Sequence, residues 1–228
     1  MEPTSAAPRR VRIWDLPTRL FHWLLVACMV GSVVSAKIGG NAMAWHLRFG
    51  LLVLVLVAFR LVWGLVGGRW SRFASFVYAP STLWRHLRGR GGRDEWLDVG
   101  HSPTGALSVF ALLALVALQV ASGLVADDEI STTGPLVRFV SGATSSLATS
   151  WHKTWGQWLL YVLVSLHVAA ILFYLLRRHD NLTGAMIRGD KLLPGDAPAS
   201  RDTAATRLLA LAVLGACAAL AGWIWSLA

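Results

Sequence analysis

Four histidines, His22, His46, His152 and His167, stand inside hydrophobic stretches of the chain. Ionisable or metal-binding side chains are costly in lipid, so such residues mark function by default. Two of them share a local pattern, Trp45-His46-x-x-x-Gly50 and Trp151-His152-x-x-x-Gly156. Residues four apart lie on one helix face. Each pattern therefore sets an imidazole one turn from a patch of bare backbone. A flat macrocycle ligated through its metal needs that pair of features: a nitrogen ligand, and at Gly50 and Gly156 no side chain where the ring edge passes.

The elements that must position these residues are apolar. Hydrophobic residues make up 55% of the 228 and charged residues only 14%, with a positive mean hydropathy. That composition belongs to integral membrane proteins. Five segments approach the length needed to cross roughly 30 Å of hydrocarbon: about Leu16 to Ala36, Ala44 to Val66, Ser102 to Ala126, Trp151 to Leu176 and Thr206 to Leu227. The 12 tryptophans suit membrane interfaces. The net charge of +9 sits on residues that flank apolar runs, so lipid is the expected partner and nucleic acid is not. Cys28 and Cys217 read as small hydrophobes. The absence of C-x-x-C-H excludes covalent c-type haem attachment. The polar, basic start, Met1 to Arg12, shows no cleavable signal peptide.

Orientation follows from the arginines. Arg9, Arg10, Arg12 and Arg19 precede or open the first span. Arg69, Arg72, Arg85, Arg88, Arg90 and Arg93 fill the second connection, and Arg177, Arg178, Arg188, Lys191, Arg201 and Arg207 the fourth. The other connections carry few cations and hold Asp127, Asp128 and Glu129. The positive-inside rule puts the N-terminus in the cytoplasm and the C-terminus in the periplasm of a bacterial inner membrane. Within the second connection, Ser81 to Leu87 reads as an amphipathic interfacial helix or an irregular loop. The segment from Leu193 to Arg207 reads as a linker, and Asp127 to Ser150 as a polar outward connection.

On that topology His46 and His152 both sit at the outer starts of their helices. His22 lies about two turns from the inner end of the first. His167 is fifteen residues beyond His152, roughly 22 Å along the axis and within about 60° of the same face. The four histidines thus form two depth-matched pairs. Facing histidines at one level can ligate a haem iron from both sides, leaving no open position and favouring electron transfer. A lone membrane histidine is ordinarily a hydrogen-bonded helix contact, and zinc would want a closed four-ligand cluster.

The stretches Trp14-Asp-Leu-Pro-Thr-Arg-Leu-Phe-His22-Trp, Trp45-His46-Leu-Arg-Phe-Gly50, Phe59-Arg-Leu-Val-Trp-Gly64, Gly100-His-Ser-Pro-Thr-Gly-Ala-Leu and the His152/His167 helix resemble the prokaryotic cytochrome b561 family. That family is close to the cytochrome b subunits of membrane-bound nickel-iron hydrogenases. The resemblance covers about Arg12 to Met186. It implies an all-α membrane protein: a four-helix transmembrane bundle holding two haems, plus a fifth C-terminal transmembrane helix that the family pattern lacks. Residues 1–190 would form the di-haem domain, and 191–228 the linker and extra helix. It further implies two b-type haems with His22, His46, His152 and His167 as axial ligands, and electron transfer in a respiratory chain. The exchange runs between ubiquinone or menaquinone and a periplasmic redox protein, such as a hydrogenase small subunit or a c-type cytochrome. A second copy of the chain is also among the admissible partners.

Arg48 and Arg19 are candidates for the haem propionates, with Arg60 and Arg12 as further ones. Their bland alternative is snorkelling to headgroups. His101 lines a quinone or proton route or caps its helix, and Gln119 bonds a helix neighbour or a quinone oxygen. Gly105 and Gly123 admit close helix or haem approach, or serve plain small-residue packing. Two other functions compete. A self-contained superoxide:quinone oxidoreductase would focus positive charge outward, which Asp127, Asp128 and Glu129 disfavour. A transporter with functional histidines would show repeats or broken helices, and neither is evident.

Overall fold

A computed structural model describes residues 8–88, 96–97, 99–193 and 197–228. Arg90 and Arg93, the first residues of the N-terminal tail and part of the expected linker lie outside these residues. The long helices are α1 (Leu16–Ile38), α2 (Met43–Val66), α4 (Pro103–Leu124), α6 (Gly156–Arg177) and α8 (Ala204–Trp225). Shorter ones are α3 (Pro80–Leu87), α5 (Gly142–Ser150) and α7 (Leu182–Arg188). Among the described residues five stretches are long and apolar enough to cross a membrane, and this is an all-α, multi-pass membrane protein. The expected spans agree within a few residues, with one exception. The fourth starts at Gly142, not Trp151, because α5 runs through a π-turn at Trp151–Trp155 straight into α6. Ser141 caps α5 by accepting the Thr144 N–H, a local signal inside what reads as a polar connection. The amphipathic segment before the third span is helical, as α3.

The residues cluster into two compact units: Met1–Leu20, Val62–Phe110 and His167–Ala210; and Phe21–Leu61, Ala111–Leu166 and Leu211–Ala228. The boundaries between these units fall inside the long helices.

The first unit has a small core of Val11, Ile13, Trp14, Trp70, Val99, Ala185 and Ala197. Two short strands, β1 (Arg9–Arg12) and β2 (Asp190–Leu193), pair antiparallel with Arg12 opposite Asp190. Arg12 Nε also bonds the Asp190 carboxylate at 2.9 Å. The Gly189 carbonyl accepts from the Ile13 and Trp14 N–H groups at 2.8 and 3.0 Å. Gly189 ends α7 at φ 91°, where a Cβ would meet Arg12 and the Trp14 carbonyl. From Ala197 onward the chain that leads to α8 is packed, with Ala197 and Ser200 buried. Ser200 donates to the Ile13 carbonyl and receives the Trp70 N–H, and Trp70 Nε1 reaches the Pro198 carbonyl. At its end Asp202 meets Arg207 at 2.9 Å. Burial opposes charge on Asp202, but bonds from Arg207 and the Leu16 N–H, with the charges of Arg207 and Arg12, keep its carboxyl below its usual range.

Asp15, fully buried, is the junction of this unit. Its carboxylate accepts from Thr18 N (2.8 Å), Trp63 Nε1 (3.2 Å), Gly68 N (3.1 Å) and Ser71 Oγ (2.7 Å). It thereby caps α1 and joins that helix to the end of α2 and the turn beyond. Asp15→Ala would strand these donors, at about 1–3 kcal/mol each. We expect a loss of at least ~3 kcal/mol, seen as a lower unfolding midpoint in detergent, with Asp15→Asn intermediate. Parental stability in Asp15→Ala would show that the unit does not hang on this carboxylate.

Candidate functional site

The site lies within the second unit. Its first ligand candidate, His46, is in the first turn of α2 and faces α1. The His46 Nδ1 is 2.9 Å from the Ser32 carbonyl and 3.0 Å from the Ser32 hydroxyl. The second, His152, sits in the π-turn and faces α4, with Nδ1 2.8 Å from the Gln119 carbonyl and 3.3 Å from the Ser122 hydroxyl. A carbonyl oxygen only accepts, so each Nδ1 carries a proton. Each Nε2 then keeps the lone pair that a metal takes. The two rings lie 5.8 Å apart, centre to centre, with planes at 82°.

These rings line a largely apolar cavity of about 620 Å³, with Gly50, Gly123, Met29 and Val116 among its walls. That volume is in the range of cofactor sites, about 300–1,000 Å³. An imidazole nitrogen binds a metal at about 2.0–2.1 Å, so two rings ligating one ion from opposite sides have centres roughly 6 Å apart. The observed spacing fits. Among the described residues no group of three or more metal-binding side chains occurs. Two nitrogens alone suit an ion whose remaining ligands come from a macrocycle.

Two backbone features make this arrangement possible. The π-turn widens the helix at His152, and the His152 carbonyl is taken by Gln119 Nε2 at 2.7 Å. Gln119 thus holds His152 twice, by its main-chain oxygen and its side chain. Gly123, one turn further along α4, leaves room for the His152 ring, since a Cβ there would lie 2.9 Å from Cε1.

Residues 13–189 match the family described as prokaryotic cytochrome b561. The chain belongs to that family. It is 25% identical over 213 residues to the "Probable Ni/Fe-hydrogenase 1 B-type cytochrome subunit" of Escherichia coli (strain K12), covering 78% of this chain and 88% of the relative. The "Probable Ni/Fe-hydrogenase B-type cytochrome subunit" of Azotobacter vinelandii is 24% identical over 225 residues, with coverages of 82% and 91%. The protein of the same name from Bradyrhizobium diazoefficiens is 22% identical over 214 residues, with coverages of 79% and 85%. No solved structure matches. Membership makes this a membrane b-type cytochrome, an electron-transfer protein whose cofactor class is haem b.

Several expected site residues of this b561 cytochrome stand elsewhere. Gly50 lines the cavity, but Gly156 does not. It is buried against the Gln119 amide and the Trp151 indole, which a Cβ would strike. The four-residue spacing that pointed to Gly156 assumes an α-helix, and the π-turn breaks that register. Arg48 is not a cavity residue; its guanidinium lies over the exposed Trp45 ring at 4.8 Å. Arg19 donates to the Ile187 carbonyl at 2.7 Å, at the end of α7. His22 and His167 are each half-buried, His22 in the second unit and His167 in the first. His101 packs its ring against Trp14 and Phe76 in the first unit, with centres 4.7 and 4.4 Å apart. Ser32 and Ser122 are site residues that sequence reasoning misses. Their only signal is position, each lying on a span at the depth of a histidine on another.

The loop 127–133 borders the cavity. Asp128 Oδ1 accepts the N–H groups of Ile130, Ser131 and Thr132 at 2.8–3.0 Å. These bonds bring its carboxyl from 3.8 to about 2. A lowered folded value stabilises above the unfolded one, and the contribution is lost as pH falls through about 2. Protection of these three amides from hydrogen exchange, corrected for intrinsic rates, should therefore persist to pH 4. Asp128→Ala should abolish it at pH 7; unchanged protection would contradict this role. Separately, Gln119→Leu should keep the fold and the main-chain bond to His152 Nδ1 but remove the side-chain bond that holds the His152 carbonyl. We expect a broadened, shifted haem spectrum and about tenfold weaker haem retention, whereas parental values would show that His152 needs no such clamp.

Proposed function

We propose that this chain is a di-haem electron carrier of the bacterial inner membrane, working between the quinone pool and a periplasmic redox protein. The observation that carries this is the His46–His152 pair, two imidazoles 5.8 Å apart with both Nδ1 groups committed to carbonyls, facing one apolar cavity. His22 and His167 are the proposed ligands of the second haem, on their matched depth in the sequence and on the family resemblance. Haem iron supplies the one-electron chemistry. His46 and His152 would hold the iron between them, leaving no position open to oxygen. Ser32 and Gln119 fix which nitrogen each ring offers, and the apolar walls keep water away.

The arginine asymmetry supports a cytoplasmic N-terminus and a periplasmic C-terminus, with His46 and His152 toward the periplasm. There Asp127, Asp128 and Glu129 favour a protein partner over a small anion. The relatives are named as hydrogenase cytochrome subunits, so a hydrogenase is the first partner to test. A quinone, ubiquinone or menaquinone, would supply or take two electrons and two protons at an apolar cleft.

The test is a reduced-minus-oxidised spectrum of purified protein. Two b-type haems per chain are expected, reducible by a quinol. His46→Ala and His152→Ala should each remove the same haem and leave the other. Loss of different haems by the two changes, or a preparation without haem from haem-replete cells, would refute the proposal. Co-purification with a hydrogenase small subunit would identify the partner.

A further inference from the structure

Lys37, in the last turn of α1, and Lys153, in the π-turn, both line the cavity of His46 and His152. Both are exposed residues, so the cavity is open where they stand. A lysine at a membrane helix end ordinarily carries its ammonium away from apolar surface into water. Lys37 does otherwise. With the Gln157 amide assigned so that its oxygen meets donors and its nitrogen an acceptor, Lys37 Nζ donates to Gln157 Oε1 at 2.8 Å, that oxygen also accepts the Tyr161 hydroxyl at 2.6 Å, and Gln157 Nε2 donates to the Lys153 carbonyl at 3.0 Å. Gln157 and Tyr161 are themselves cavity residues. A neutral amide thus tethers the ammonium to the cavity wall.

The charges around this wall do not balance. Asp128 is the carboxylate among the lining residues, and its Oδ1 already takes three backbone N–H groups. Among the described residues, the carboxylates in ion pairs are Asp180, Asp190 and Asp202, which bond Lys191, Arg12 and Arg207. Two ammonium groups therefore border an apolar cavity whose own anion is committed elsewhere. Arg48, expected to supply this charge, is stacked on Trp45.

We infer that Lys37 and Lys153 form a carboxylate-recognition subsite that holds the propionates of the haem ligated by His46 and His152, with Gln157 as the positioning residue. This rests on the assignment of a haem to that pair. Two ammonium donors meet two carboxylates, and the porphyrin enters with its polar edge toward the open side. The ionic bonds are partly exposed, so they weaken with salt.

The experiment compares two probes in the full chain: protohaem and haem dimethyl ester, the same iron and ring with both propionates esterified. Haem-stripped protein in detergent is titrated with each, and uptake is followed by absorbance. His46→Ala defines the signal of this site. The parent should bind protohaem about tenfold more tightly than the ester, and the advantage should shrink at high salt. In Lys37→Gln/Lys153→Gln the two probes should bind alike, while the double arginine variant should restore the preference and control for folding. Gln157→Leu should give a partial loss. An undiminished protohaem preference in the glutamine variant overturns the subsite. If instead His46→Ala takes up as much of both probes as the parent, the haem assignment fails and the subsite falls with it, an outcome distinct from loss of the lysine effect alone.

Discussion

An imidazole in apolar surroundings must be told which nitrogen to offer, and here the backbone does so. The Ser32 and Gln119 carbonyls each accept an Nδ1–H at 2.8–2.9 Å. A helix carbonyl is a fixed acceptor on a rigid element, so the bond sets the ring's tautomer and aim together. The remaining features of the cavity depend on that constraint. Gly123 lets the second ring approach α4, Gln119 anchors the widened turn behind it, and Gly156 gives Gln119 its space.

The other unit solves a different problem by similar means. Asp15, Ser71, Thr18 and Trp63 form a buried polar knot. Once all members are paired, such a network fixes one arrangement of its helices; half-paired, it would be worse than an apolar core. The knot and the aromatic core around Trp14 and Trp70 use residues from the N-terminal strand, the turn after α2 and the stretch after α7. A span count gives these short segments no structural role, yet Ile13, Trp70, Ser71 and Ala197 within them are buried.

Hydropathy makes the five spans legible, because lipid demands a length and a composition that few soluble segments share. The histidine pair is legible because polar groups in such spans are rare. The helix register around His152 is not. No residue type announces a π-turn, so the spacing from His152 to Gly156 reads as α-helical and assigns the glycine the wrong neighbour. The β1–β2 pair escapes because four-residue strands carry no usable periodicity. The surroundings of Arg48 and Arg19 are not legible either, for a simpler reason. Sequence shows their charge but not their competitors, and a nearby indole and a helix-end carbonyl capture them.

The π-turn also bears on how such chains diverge. Excising one residue between Trp151 and Trp155 would relax the segment to an ordinary helix. The helix on either side would keep its register, and only the side chains of the turn itself would be re-aimed. Length, hydropathy and motif would scarcely change, yet the imidazole would leave the cavity. Within a lineage of close look-alikes, a single-codon deletion there would separate members that keep an imidazole at this cavity from members that do not.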